Sequence, residues 1–230
     1  MIALRGAPCA RRHLFIASRN IVINNGRSAQ YSSTSNASDE AAHLDFRLFV
    51  DALRKDGDLA DINTEVDPNL EVAAITRRAY ERRSKAPLFN NVKGAHDGLF
   101  RILGAQGGLS HDPQRVYGRL ARHIGLPPTA SLKDIVDRML SAKGKKGIAP
   151  VHVNSGPCKE VKIMAKDVDL TRLPVPRLNK ADGGDYIQTM GINIVQHPTE
   201  NWTNWSIARA MIHDKNRMAG LIMKVSLAAE

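Results

Sequence analysis

Apolar residues recur along the chain with two different periods, and the change between them divides it. Phe46, Phe49, Val50 and Leu53 fall at i, i+3, i+4 and i+7 behind Asp45, a capping residue, and Gly57 supplies a stop. That spacing predicts a helix. Residues 59–66 alternate apolar with polar and read as a strand. Asp67-Pro68 predicts a second helix running to about Arg83, with the cap and a proline at its first position. Residues 87–92 and 99–104 read as strands joined by the polar turn 93–98. Asp112-Pro113 repeats the cap-plus-proline start, Val116, Leu120 and Ile124 line one face, and Pro127-Pro128 ends the helix. Residues 131–142 form another short helix. Beyond KGKKG at 143–147, a basic solvated joint, the pattern becomes mostly β: residues 161–164, 186–196, 204–213 and 217–225, with 214–216 as a hairpin turn. The expected class is α+β, with an α+β domain over 39–148 and a mostly-β domain over 149–230.

Composition narrows the classes. At 230 residues, 43% hydrophobic and 24% charged, the chain is an ordinary globular polymer, not a coiled-coil rod, a collagen or a disordered chain. Two cysteines exclude a disulfide framework. The net charge of +10 invites a nucleic-acid reading, yet Arg5, Arg11, Arg12, Arg19 and Arg27 supply half of it within residues 1–38, which hold no acid. Arg-rich, Ser-rich and acid-free, that segment has the composition of a mitochondrial transit peptide, with a disordered basic tail as the alternative. Its apolar runs are too short for a membrane span. With aromatics at 5%, stacking on single-stranded nucleic acid has no support, and no nucleic-acid partner is expected.

Common site motifs are absent: there is no phosphate-binding GxxxxGK[ST], no HExxH and no paired-cysteine zinc spacing. GAQGG at 104–108 lacks the GxGxxG spacing and reads as a turn. His111 reads as a loop residue, His213 beside Asp214 as a turn pair, and Cys158 as an inert thiol. The densest polar stretch is NWTNWSIARAM at 201–211. In a strand, Asn204, Ser206, Ala208 and Ala210 share one face, and Trp205, Ile207, Arg209 and Met211 the other. An arginine among Trp, Ile and Met is anomalous; it either snorkels at a sheet edge or faces a buried anion. Asn204 offers a hard carbonyl oxygen suited to Mn²⁺ or Mg²⁺, but one ligand does not make a metal site.

DVDLTRLPVP at 167–176, DGGDYIQ at 182–188, GINIVQ at 191–196 and, above all, TNWSIARAMIHDKN at 203–216 carry a resemblance to the UbiD-type decarboxylases, within them the fungal ferulic (phenylacrylic) acid type. It extends from about Leu44 to Lys224. The resemblance implies an N-terminal α/β unit followed by the start of a split β-barrel flavin-binding domain. It implies a carboxy-lyase that decarboxylates α,β-unsaturated aromatic acids such as ferulate and cinnamate, without net oxidation, using prenylated FMN with Mn²⁺ and K⁺. Asn204 is then the divalent-metal ligand, and the Trp205 backbone carbonyl helps hold K⁺. Asn204, Trp205, Ser206, Ile207, Ala208 and Arg209 line the cofactor, and Arg209 acts in catalysis, facing the substrate carboxylate. The implied chemistry is a cycloaddition of cofactor to alkene, loss of CO₂ and protonation by a glutamate. The implied partners are a flavin prenyltransferase that supplies the cofactor and a second copy in a homodimer.

VSLAAE at 225–230 departs from the family pattern, which expects a metal-binding histidine three residues beyond Lys224, where this chain has Leu227. The family's later glutamates have no counterpart here. The expectation is therefore a truncated chain that is inactive by itself, with a non-catalytic interaction module as the alternative. For the leader, a fluorescent fusion of residues 1–40 is expected to enter mitochondria; cytosolic fluorescence would contradict the transit-peptide reading.

Overall fold

The computed structural model describes residues 14–15, 42–95, 100–148, 151–156 and 159–221. The proposed transit segment and Cys158 lie outside these, apart from a two-residue strand β1 (Leu14–Phe15) that pairs antiparallel with β5 (Lys162–Ile163).

Helix α1 (Phe46–Lys55) forms as its spacing predicts. Asp45 caps it, its carboxylate accepting the backbone N–H groups of Arg47 at 2.8 Å and Leu48 at 3.1 Å. The buried face is Phe49, Val50, Ala52 and Leu53; Phe46, expected inward, is exposed. Strand β2 (Leu59–Ile62) runs parallel to β3 (Ala86–Phe89), with α2 (Glu71–Arg82) as the crossover, and β4 (Ile102–Leu103) closes the sheet antiparallel to β3. Every residue of β3 is buried, as a central strand covered on both faces requires. Its pleat divides the core. Ala86 and Leu88 pack with Phe49, Val50, Leu53 and Leu59 under α1, while Phe89 packs with Val66, Val72 and Val92 under α2.

Two helices begin later than the cap-plus-proline signal predicts. Asp67 does not cap α2; its carboxylate accepts the Asn69 N–H at 2.8 Å, and the Glu71 side chain accepts the Asp67 N–H at 2.8 Å. Leu70 then takes a left-handed conformation (φ 71°) before the helix starts. The cause is tertiary: Arg177, from the second region, pairs with this segment, its N–H donating to the Pro68 carbonyl and its carbonyl accepting the Leu70 N–H, both at 3.1 Å. That bridge holds residues 68–70 as a turn outside the helix. Likewise Asp112 makes a local turn with Gln114, and α3 is confined to Gly118–His123.

The face of α3 that is buried is not the apolar one. Val116, Leu120 and Ile124 are only half-buried, whereas Arg119 is fully buried. Its guanidinium grips Asp58 through two 2.7 Å hydrogen bonds and donates to the carbonyls of Ala105 at 3.1 Å and Ser84 at 2.6 Å. One turn on, Arg122 holds Asp56 in the same bidentate manner at 2.8 and 2.9 Å. GAQGG is the turn that makes room: a Cβ on Gly108 would lie 2.8 Å from the Arg119 guanidinium, and one on Gly104 2.5 Å from the Thr76 hydroxyl.

Helix α4 (Leu132–Ala142) carries a complete capping box between Ser131 and Asp134. It buries only Ile135 and leaves Leu132, Val136, Met139 and Leu140 exposed.

Removing one partner of the buried ion pair strands a desolvated charge. Asp58→Ala is expected to cost roughly 3–5 kcal/mol, as is typical of breaking buried pairs. The double variant Asp58→Leu/Arg119→Met should lose less than the sum of the single losses. Urea unfolding followed by circular dichroism measures both; a single-variant loss within experimental error would refute the assignment.

Candidate functional site

The second region is built of short hairpins. Strands β6 (Tyr186–Ile187), β9 (Ala210–Ile212) and β10 (Met218–Gly220) form one antiparallel sheet in the order β10-β9-β6, and β7 (Ile192–Gln196) pairs with β8 (Thr203–Ile207). Two strand runs read as continuous are each broken. Residues 186–196 break at Gln188 (φ 60°), where Gly191 donates to the Gln188 carbonyl at 2.9 Å. A Cβ on Gly191 would meet the Gln188 Cβ at 2.7 Å, so the turn needs glycine there. Residues 204–213 break at Ala208-Arg209, between β8 and β9, where the Asn193 amide donates to the Ala208 carbonyl at 3.0 Å.

Alternation along β8 places the predicted residues on two faces. Asn204, Ser206 and Ala208 are half-buried, and the Asn204 and Ser206 side chains have no hydrogen-bond partner among the described residues. Trp205 and Ile207 lie on the other face, 66% and 67% exposed. Their cross-strand partners Ile194 and Ile192 are exposed with them. The apolar face therefore looks outward and the polar, small-residue face inward, the reverse of a sandwich core strand.

Arg209 follows the break. It is neither a sheet-edge snorkel nor deeply buried: at 47% exposure it meets the carboxylate of Asp182, itself 11% exposed, at 3.6 Å. Its guanidinium carbon lies 3.9 Å from the Tyr186 ring centroid, a cation–π contact. Asp182 and Tyr186 were not singled out from pattern as site residues, although both lie in DGGDYIQ. The glycines between them allow close approach: a Cβ on Gly184 would sit 3.0 Å from the Met211 sulfur. Asp182 is held in turn, its Oδ2 accepting the Asn179 N–H at 3.0 Å and its backbone carbonyl accepting from the Arg177 guanidinium.

His213 and Asp214 form the β9–β10 turn as read. The Arg217 guanidinium, donating to Asp214 at 2.6 Å, holds that carboxyl below the ordinary carboxylate range. A cavity of about 390 Å³ lies in the first unit, lined by residues that include Leu53, Asp58 and His111, and none of the predicted site residues borders it.

The inward face of β8 suits a flat polar cofactor: Asn204 and Ser206 offer uncommitted donors and acceptors, and Ala208 leaves room. A divalent metal fits less well. Among the described residues no group of three His, Cys, Asp or Glu could hold an ion, and Asn204 stands alone as a candidate ligand.

Comparison with known proteins places this architecture. Residues 50–139 match the 3-octaprenyl-4-hydroxybenzoate carboxy-lyase N-terminal domain, and residues 150–229 match the Rift-related domain of the same carboxy-lyase. The chain is 49% identical over 177 residues to the pyrrole-2-carboxylic acid decarboxylase of Pseudomonas aeruginosa, covering 77% of this chain and 36% of that protein. It is 46% identical over 183 residues to ferulic acid decarboxylase 1 of Saccharomyces cerevisiae, covering 79% and 36%. The open form of the vanillic acid decarboxylase of Sedimentibacter hydroxybenzoicus superposes with a TM-score of 0.65 at 27% identity, covering 76% of this chain and 37% of that one. The chain belongs to the UbiD family of carboxy-lyases. It spans about 36% of the length of the curated relatives it matches.

Proposed function

We propose that this chain forms the cofactor-facing N-terminal part of a decarboxylase that converts α,β-unsaturated aromatic acids, ferulate and cinnamate among them, to vinyl aromatics and CO₂. The observation that carries the reading is the β8 segment. An uncommitted polar face at Asn204 and Ser206 stands next to Arg209, a cation on the same short stretch. Loss of CO₂ from a vinylic carbon leaves charge that no side chain here can delocalise. Prenylated FMN supplies that electron sink when bound.

The chain's own contribution is binding and orientation. Asn204 and Ser206 hydrogen-bond polar atoms of the cofactor, and Ala208 admits its rings. Arg209 pairs with the substrate carboxylate, and the remaining residues named for the cofactor, Trp205 and Ile207, take part through their backbone. Mn²⁺ and K⁺ belong to the proposal only where ligands beyond Asn204 and the Trp205 carbonyl are supplied, so no step is assigned to them. The partners are the aromatic acid, a flavin prenyltransferase as cofactor source and a second copy of the family's subunit. The mitochondrion is the proposed compartment. Among the described residues no helix is long and apolar enough to cross a membrane.

A second reading, a non-catalytic interaction module, is favoured by the exposed face of Ile192, Ile194, Trp205 and Ile207. The test is titration of FMN fluorescence with the full chain. Quenching that Asn204→Ala weakens on the order of tenfold, the scale of one or two lost polar contacts, supports the cofactor reading. Absence of quenching, together with a stable complex with a longer family member, supports the module instead.

A further inference from the structure

The reading above assigns Arg209 to a carboxylate but leaves open what aims it. We propose that Asp182 and Tyr186 are positioning residues for Arg209, fixing its guanidinium so that one edge stays open to an organic carboxylate. The inference rests on the proposed role of Arg209.

Three observations support it. Asp182 is 11% exposed and oriented from both ends: Oδ2 accepts the Asn179 N–H at 3.0 Å and its amide at 3.5 Å, which leaves Oδ1 toward Arg209 at 3.6 Å. Tyr186 lies in β6, paired with Met211 of β9 two residues beyond Arg209, so its backbone is in register with the strand that follows the arginine. The guanidinium carbon lies over that ring, 3.9 Å from the centroid, while the Asp182 carboxylate attracts the same group from 3.6 Å, so two contacts hold it in place. Arg209 has no other partner among the described residues, and its side chain is 47% exposed. A guanidinium carries five N–H donors in a fork, and one carboxylate contact plus one ring contact leaves donors for bidentate binding of a second carboxylate.

The support reaches into the first unit. Arg177 donates to the Asp182 backbone carbonyl, and the Arg177 backbone is bridged to Pro68 and Leu70 at the start of α2. The α/β unit thus sets the position of the Asp182 loop, and Asp182 with Tyr186 sets Arg209.

The test uses the full chain, arginine-labelled with ¹⁵N, with sodium cinnamate as the probe. In the wild type the Arg209 Nε–H resonance, assigned by its loss in Arg209→Gln, is expected to lie upfield through the Tyr186 ring current and to move on cinnamate addition. Asp182→Asn and Tyr186→Leu should each shift that resonance and weaken cinnamate binding on the order of tenfold, the cost of a misaimed fork. Tyr186→Phe, which keeps the ring, should restore both. Unchanged backbone amide resonances of Arg47 and Arg54 in α1 and of Arg77 and Arg78 in α2 would exclude unfolding as the cause. An Arg209 resonance and affinity that stay at wild-type values in both Asp182→Asn and Tyr186→Leu would overturn the inference. If Arg209→Gln binds cinnamate as well as wild type, or wild type does not bind it, the role of Arg209 itself fails; the ring-current shift then still decides whether Tyr186 and Asp182 position it.

Discussion

One buried ion pair organises the first half of the molecule. Arg119 reaches from α3 into the protein, fully enclosed, and binds Asp58 at the entry to β2, Ser84 between α2 and β3, and Ala105 after β4. Four segments distant in sequence are thereby fixed to one planar group. Taking an arginine out of water is costly, and only a complete set of partners makes it tolerable. The neighbourhood reflects that demand. Gly108 is bare because a Cβ would strike the guanidinium, and Arg122 repeats the arrangement one turn on with Asp56. With these ends pinned, α1 and α2 cover opposite faces of β3, and both apolar clusters close on that strand.

The second half is built on different terms. From residue 159 to 221 the only buried hydrophobic residue described is Leu170, and the strands are held mainly by their ladders and turns. Among the described residues a short bridge between Arg177 and the start of α2 ties it to the first half. Such a region has little core of its own, and its apolar hairpin face stands open. A site composed of a polar strand face and a tethered arginine needs this region to be held by something stiffer, and the α/β unit provides it.

Much of this was legible in the sequence. Period-2 alternation through 203–207 correctly separated Asn204 and Ser206 from Trp205 and Ile207, and the NWSIAR block pointed to the family that the domain comparisons establish. Helix α1 and its cap were readable because all their determinants are local. Several of the failures share one cause, partners far away in sequence. Pattern reading does not single out Arg119, and nothing local reveals Asp58, 61 residues earlier. Asp67-Pro68 carries a good start signal, yet Arg177 arrives to hold the segment as a turn outside the helix. Which β8 face turns inward depended on neighbours as well, so the outward turn of Trp205 was not predictable from hydrophobicity. The Arg209 anomaly was visible; its partners Asp182 and Tyr186 became so only once β6 paired with β9.

Stability resides in the stapled α/β unit, and the site-bearing strands depend on it. Native-state hydrogen exchange on the full chain measures this directly, residue by residue. Amides of β2 and β3 are expected to exchange only through global unfolding, while those of β7 and β8 exchange through smaller openings at lower free energy. Equal protection across both regions, or greater protection in β7 and β8, would contradict it.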